Sequence, residues 1–116
     1  MLSIKETGIL ICIIQHCRRI EDKVSGKTSE GFCSDEDAKE IVCFNILQIG
    51  ELAKSLPLEF IVKYNKMPWK DIKGMRDWVA HGYGTIDLNK VYNTATIDIK
   101  PLKDYCQEII NANQQQ

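Results

Sequence analysis

The sequence predicts an all-α fold, an up-and-down bundle of about four main helices with short extra helices. Three observations carry this. Apolar residues recur three and four positions apart over long stretches, no segment alternates apolar and polar residues with period two, and capping residues or prolines stand near the start of most stripes.

Leu10, Ile13, Cys17, Ile20 and Val24 form the first stripe. Their helical spacing outweighs the strand-like look of the run Ile9 to Ile14, and predicts a helix at about 3–25. Ser25-Gly26 ends it, and 26–33 reads as a loop. Ser34, followed by Asp35, Glu36 and Asp37, supplies a cap and first-turn acids suited to the positive end of a helix dipole. Ala38, Val42, Asn45, Ile49, Leu52 and Leu56 extend that helix over about 35–56. Leu56-Pro57 stops it, because the residue before a proline is driven out of the α region. A short helical piece from Leu58 to Tyr64 follows. Met67-Pro68-Trp69 opens the next helix, since a proline fits the first turn, and Gly82 and Gly84 end it. Asp87 caps a further helix at about 88–95, and Lys100-Pro101-Leu102 begins the last, to about 112. The tail from Asn111 to Gln116 is expected to fray.

At 116 residues the chain is expected to form one domain, 1–116. Fifteen Lys and Arg balance 16 Asp and Glu, which excludes a protein that coats polyanions generally; any nucleic-acid site must be a local patch. Cys12, Cys17, Cys33, Cys43 and Cys106 are odd in number and contain no CxxC pair. No set of Cys and His has metal-ligand spacing, so no metal is expected and the thiols read as small apolar residues in a reducing cytoplasm. The run Ile9 to Ile14 is too short to span a bilayer. With Glu6 before it and Arg18 and Arg19 after it, it is also unlike a signal-peptide core. A cytoplasmic location without a membrane partner is the expectation.

Charge is uneven along this plan. Glu30, Asp35, Glu36, Asp37 and Glu40 form an acidic run, and Lys63, Lys66, Lys70, Lys73 and Arg76 a basic one. Either is compatible with a solvated face. The basic run, with Tyr64 and Trp69 inside it, also reads as a phosphate-contacting patch in which Lys70, Lys73 and Trp69 are the nucleic-acid-binding candidates.

The informative segment runs from Trp69 to Tyr83. On an ideal helix Ile72, Met75 and Val79 mark the buried face, and Arg76 and Tyr83, seven apart, point within about 20° of each other beside it. An arginine there is costly unless it is paired, with Glu51 of the second long helix as the candidate partner, or held at the edge of a site that binds phosphate. His81 follows Arg76 by five residues, about 140° around the helix. Either the helix unwinds at His81-Gly82 or the site is shared with a second chain. Asp77, four residues before His81, is within reach of its imidazole. A histidine near a helix end serves equally as a capping or packing residue.

Arg76-Asp-Trp-Val-Ala-His81-Gly-Tyr83 resembles the Arg-x4-His-x-Tyr signature of the HepT-like branch of the HEPN superfamily. Ile49-Gly50-Glu51-Leu52-Ala53 resembles the family's Ile-Gly-Glu-Ala stretch, and Met67-Pro68-Trp69 with Ile72 and Met75 its lead-in to the arginine. Asp87-Leu88 with Val91-Tyr92 resembles the segment after the motif, so the likeness covers about 35–105. Two positions depart from the pattern: Asp77 stands where Asn is frequent, and Gly82 where Asp is frequent.

The resemblance implies a HEPN-type bundle and a metal-independent endoribonuclease without cofactor, the toxin of a toxin–antitoxin pair. Arg76 and His81 would be catalytic, Asp77 and Glu51 supporting, and Tyr83 the acceptor of AMP from a minimal nucleotidyltransferase antitoxin. The chemistry suits these residue types. RNA carries its own nucleophile, the 2′-OH; a neutral imidazole can take its proton, an imidazolium can protonate the leaving 5′-oxygen, and a guanidinium can stabilise the phosphoryl charge. The products would be a 2′,3′-cyclic phosphate and a 5′-hydroxyl. His16 and His81 are the chain's two histidines, so acid and base work by two imidazoles suggests two copies of His81 across the twofold axis of a homodimer, itself able to join a larger assembly with the antitoxin. His16, Arg18 and Arg19 read as either an added RNA-binding surface or a solvated face. Two other readings stay open: a non-catalytic helical partner of a nucleotidyltransferase that binds a nucleotide or substrate, and a plain dimerisation module.

Overall fold

The computed structural model describes residues 1–82 and 86–114, with the backbone alone at 81 and 82. Among the described residues the regular elements are all helical: α1 Ile4–Val24, α2 Ser29–Cys33, α3 Glu36–Lys54, α4 Leu58–Lys63, α5 Trp69–Gly82, α6 Leu88–Asn93 and α7 Ile99–Gln114, with a π-helical turn Thr94–Asp98 between the last two. This is the all-α bundle expected. α1 packs against α3 and α7, and α3 against α5.

The stripe of α1 is buried as its spacing requires, with Leu10, Ile13, Cys17 and Ile20 fully enclosed. Ser3 and Glu6 form a reciprocal capping box at its start, and Gly26 takes a positive φ of 74° just past its end, a conformation that costs a glycine little. Val42, Ile46, Ile49 and Ala53 of α3 meet that stripe in the core. Cys17, Cys43 and Cys106 are buried as well; burial pushes the Cys106 thiol up to about 12, and these thiols pack as small apolar groups.

Three expectations need correction. Residues 26–33 are not all loop, because α2 occupies Ser29–Cys33. A five-residue helix is too short to stand on its own propensity. Thr28 caps it by accepting from Gly31 N at 3.0 Å, and Phe32, fully buried 5.7 Å from the Tyr92 ring, anchors it. With α2 in place, Ser34 belongs to the end of α2, and the cap of α3 is Asp35, which accepts from Ala38 N at 3.1 Å. Lastly, Pro101 does not begin a separate helix. The chain runs through α6, the π-turn and α7 without leaving helical conformation. An ordinary α-helix would press the Pro101 ring onto the carbonyl of Ile97, and the wider π-turn lies there.

Candidate functional site

The site forms where α5 crosses α3. A Cβ added to Gly50 would lie 2.6 Å from the backbone nitrogen of Arg76 and 2.8 Å from its Cβ. Only glycine allows this approach, so Gly50 is the seat on which α5 rests at Arg76. The next residue of α3, Glu51, receives the arginine: Arg76 Nε donates to Glu51 Oε1 at 2.5 Å. The two side chains are 35% and 45% exposed. The arginine is therefore both paired and at the edge of the surface, rather than in a buried ion pair. An exposed pair of this kind contributes about 0–1 kcal/mol to stability. Its effect is to fix the plane of the guanidinium fork, the geometry that recognises phosphate.

Asp77 is exposed and sits between two cations, 3.4 Å from Lys54 Nζ and 3.5 Å from Arg76. The hydrogen bond from Lys54, then its charge, holds the carboxyl below its ordinary value of 3.8, with Arg76 adding to the effect. Asp77 is thus an ionised brace on Lys54 and Arg76. Its expected bond to His81 lies outside the described side chains, and Tyr83 and Gly84 lie outside the described residues. The backbone of α5 stays helical through Gly82, so unwinding at His81-Gly82 does not occur.

Lys70 is exposed and Lys73 half-buried, as a phosphate-contacting role allows. Trp69 cannot share that role, because it is 2% exposed. Its indole Nε1 donates to the Tyr64 carbonyl at 2.7 Å, and its ring is T-shaped to Phe60 and tilted against Tyr105. A tryptophan one position after the helix-opening proline is turned into the core, with no face left for a base. The tryptophan that sequence reasoning passed over is Trp78. It is only partly buried, and Lys90 Nζ sits 4.6 Å over its ring. The signal for it was Trp78's place away from the Ile72, Met75 and Val79 stripe.

The His16 group is divided by the structure. His16 Nδ1 lies 2.6 Å from Asn45 Oδ1, and Asn45 Nδ2 donates to the Ile41 carbonyl at 2.7 Å. The Asn45 amide thereby ties α1 to α3, its own helix, through both of its polar ends. Arg19 stands beside His16, whereas Arg18 lines a groove between α1 and α7 with Gln15 and Gln107. The three do not make one patch. Among the described residues no three His, Cys, Asp or Glu side chains gather to hold a metal ion, and no helix is long and apolar enough to cross a membrane.

A family model described as Ribonuclease HepT-like matches residues 13–109. The chain belongs to this family, a branch of the HEPN superfamily. A protein of Caldanaerobacter subterraneus subsp. tengcongensis named "Putative RNase" is 34% identical over 98 residues, 84% of this chain and 88% of that protein. Another "Putative RNase", from Methanocaldococcus jannaschii, is 30% identical over 106 residues, 88% of each chain. "Probable ribonuclease HepT" of Thermococcus cleftensis is 31% identical over 74 residues, 64% of this chain and 67% of that one. No solved structure gives a significant match.

Proposed function

We propose that this HepT-like chain is a metal-independent endoribonuclease, the toxin of a toxin–antitoxin pair. The observation that carries the reading is the seating of the motif arginine: Gly50 sets its backbone and Glu51 its guanidinium. Arg76 would hold the scissile phosphate and stabilise the charge that grows on it. His81 would take the 2′-OH proton or protonate the leaving 5′-oxygen, giving a 2′,3′-cyclic phosphate and a 5′-hydroxyl. Residues 1–116 would act as one domain in the cytoplasm, with no resident cofactor.

A homodimer fits this chemistry. A backbone helical through Gly82 spaces positions 76 and 81 about 140° apart, which favours a site completed by a second copy. Phe44, 58% exposed, borders an apolar groove with Leu47, Val79 and Ala80 between α3 and α5, and offers that copy a face. Regulation would come from a minimal nucleotidyltransferase. The Tyr83 hydroxyl would attack the α-phosphorus of ATP, pyrophosphate would leave, and AMP would occupy the place of the substrate phosphate.

The test is cleavage of labelled RNA by the purified protein in EDTA. Arg76→Ala and His81→Ala should each lower the rate by about 10²–10⁴ with the helical circular dichroism unchanged. Wild-type rates in a folded His81→Ala protein would end the catalytic assignment. Co-expression with the partner should add AMP mass to the Tyr83 peptide, and Tyr83→Phe should escape neutralisation.

A further inference from the structure

A second cleft, of about 440 Å³, opens on the side of α5 that bears Trp78, between that helix and the π-turn. Its volume is that of a small-molecule site. Lys70, Asp71, Trp78, Lys90, Thr94 and Asp98 line it, and Gly74 leaves space, since a Cβ there would meet nothing within 4 Å. Thr94 and Asp98 are the first and last residues of the π-turn, an element that concentrates at functional sites.

The charged groups of this cleft are not committed to ion pairs. Among the described residues Lys70, Lys90, Asp71 and Asp98 enter none, and Lys90 alone of the four is engaged, over the Trp78 ring. Thr94 is 5% exposed, faces the cleft, and has no hydrogen-bond partner for its hydroxyl among the described residues. Because no buried side-chain polar atom among the described residues lacks a partner, this unbonded hydroxyl is open to the cleft and available to its contents. Two ammonium groups and two carboxylates make the lining neutral overall, which disfavours a bare anion. A ligand with a phosphate at one end and N–H or O–H donors at the other fits it, particularly if a flat ring can lie on the indole.

We propose that this cleft binds one ribonucleotide unit, with its base on Trp78, its phosphate between Lys70 and Lys90, and its donors on Thr94 and Asp98. The ammonium of Lys90 occupies the ring face at 4.6 Å, and its flexible stem lets it swing to the phosphate as a base takes its place. An RNA strand as the source of that unit rests on the ribonuclease reading; a free nucleotide does not.

Titration of Trp78 fluorescence with an uncleavable 2′-O-methyl oligoribonucleotide, and separately with AMP, tests this. Trp78→Phe assigns the signal, because Trp69 is buried elsewhere. Saturable quenching is expected. Lys90→Glu, a surface change that leaves the melting curve intact, should weaken binding by about tenfold or more, and Thr94→Val by a smaller factor. Binding of the oligonucleotide alone assigns the cleft to RNA, and equal binding of AMP assigns it to free nucleotides. If neither ligand quenches, or if Lys90→Glu binds as wild type does, the proposal is wrong. A wild-type protein that binds the oligonucleotide and cleaves no RNA would sink the ribonuclease reading and leave the cleft standing; one that cleaves RNA without quenching would sink the cleft alone.

Discussion

Two polar contacts fasten neighbouring helices to α3, and they differ in depth. His16 of α1 meets Asn45, which is 3% exposed, while Arg76 of α5 meets Glu51, whose side chain is 45% exposed. In the first, the Asn45 amide is shut off from water on a part-buried contact, so losing it costs the fold more. In the second, water can replace a lost partner, so the contact aims a charged group at little stabilising gain. Burial, rather than bond length, decides which of the two a polar pair does.

That contrast can be broken by substitution. The largest effect is expected from Gly50→Ala, since the added methyl would meet the backbone of Arg76 at 2.6 Å and no side-chain rotation relieves it. Overpacking of this kind costs about 1–3 kcal/mol, and RNA cleavage should fall further than the lost stability explains, because the seat of Arg76 moves. Asn45→Ala should destabilise by about 1–3 kcal/mol in a urea titration, because it removes a buried amide bonded to both His16 and the Ile41 carbonyl. Glu51→Ala should cost less than about 1 kcal/mol in the same titration, yet lower kcat/KM for RNA by loosening the guanidinium. Equal destabilisation by the last two would dissolve the comparison. The smallest effect concerns acid. Asp77 is held below 3.8 by Lys54 and Arg76, so its contribution is complete above that pH and is lost as pH falls through its lower folded value. Asp77→Asn should therefore remove a small part of the acid sensitivity of the melting temperature below about pH 4.

Much of the fold was legible because period and caps agree: α1, α3 and α5 lie within two residues of their expected ends. α2 was not, since five residues show no period and its anchor, Phe32 against Tyr92, joins positions far apart in the chain. Nor was the π-turn, for Pro101 signals a break as strongly as it signals a widened turn. At the site, the pairing of Arg76 with Glu51 could be anticipated from an inward arginine and an available acid. Which tryptophan is open could not, because composition counts aromatics without saying which one packs against Phe60 and Tyr105.

The atoms that a side chain at position 50 would strike first are ones nearly every amino acid shares, a backbone nitrogen, a Cα and a Cβ. The glycine specifies an address and is blind to the message delivered there. Any side chain but glycine at position 76 would be brought to the same spot, so chemistry can be rewritten at one locus while its location is kept by the other. Arg76→Lys or Arg76→Gln would consequently arrive in place, and what they change reports on the guanidinium alone.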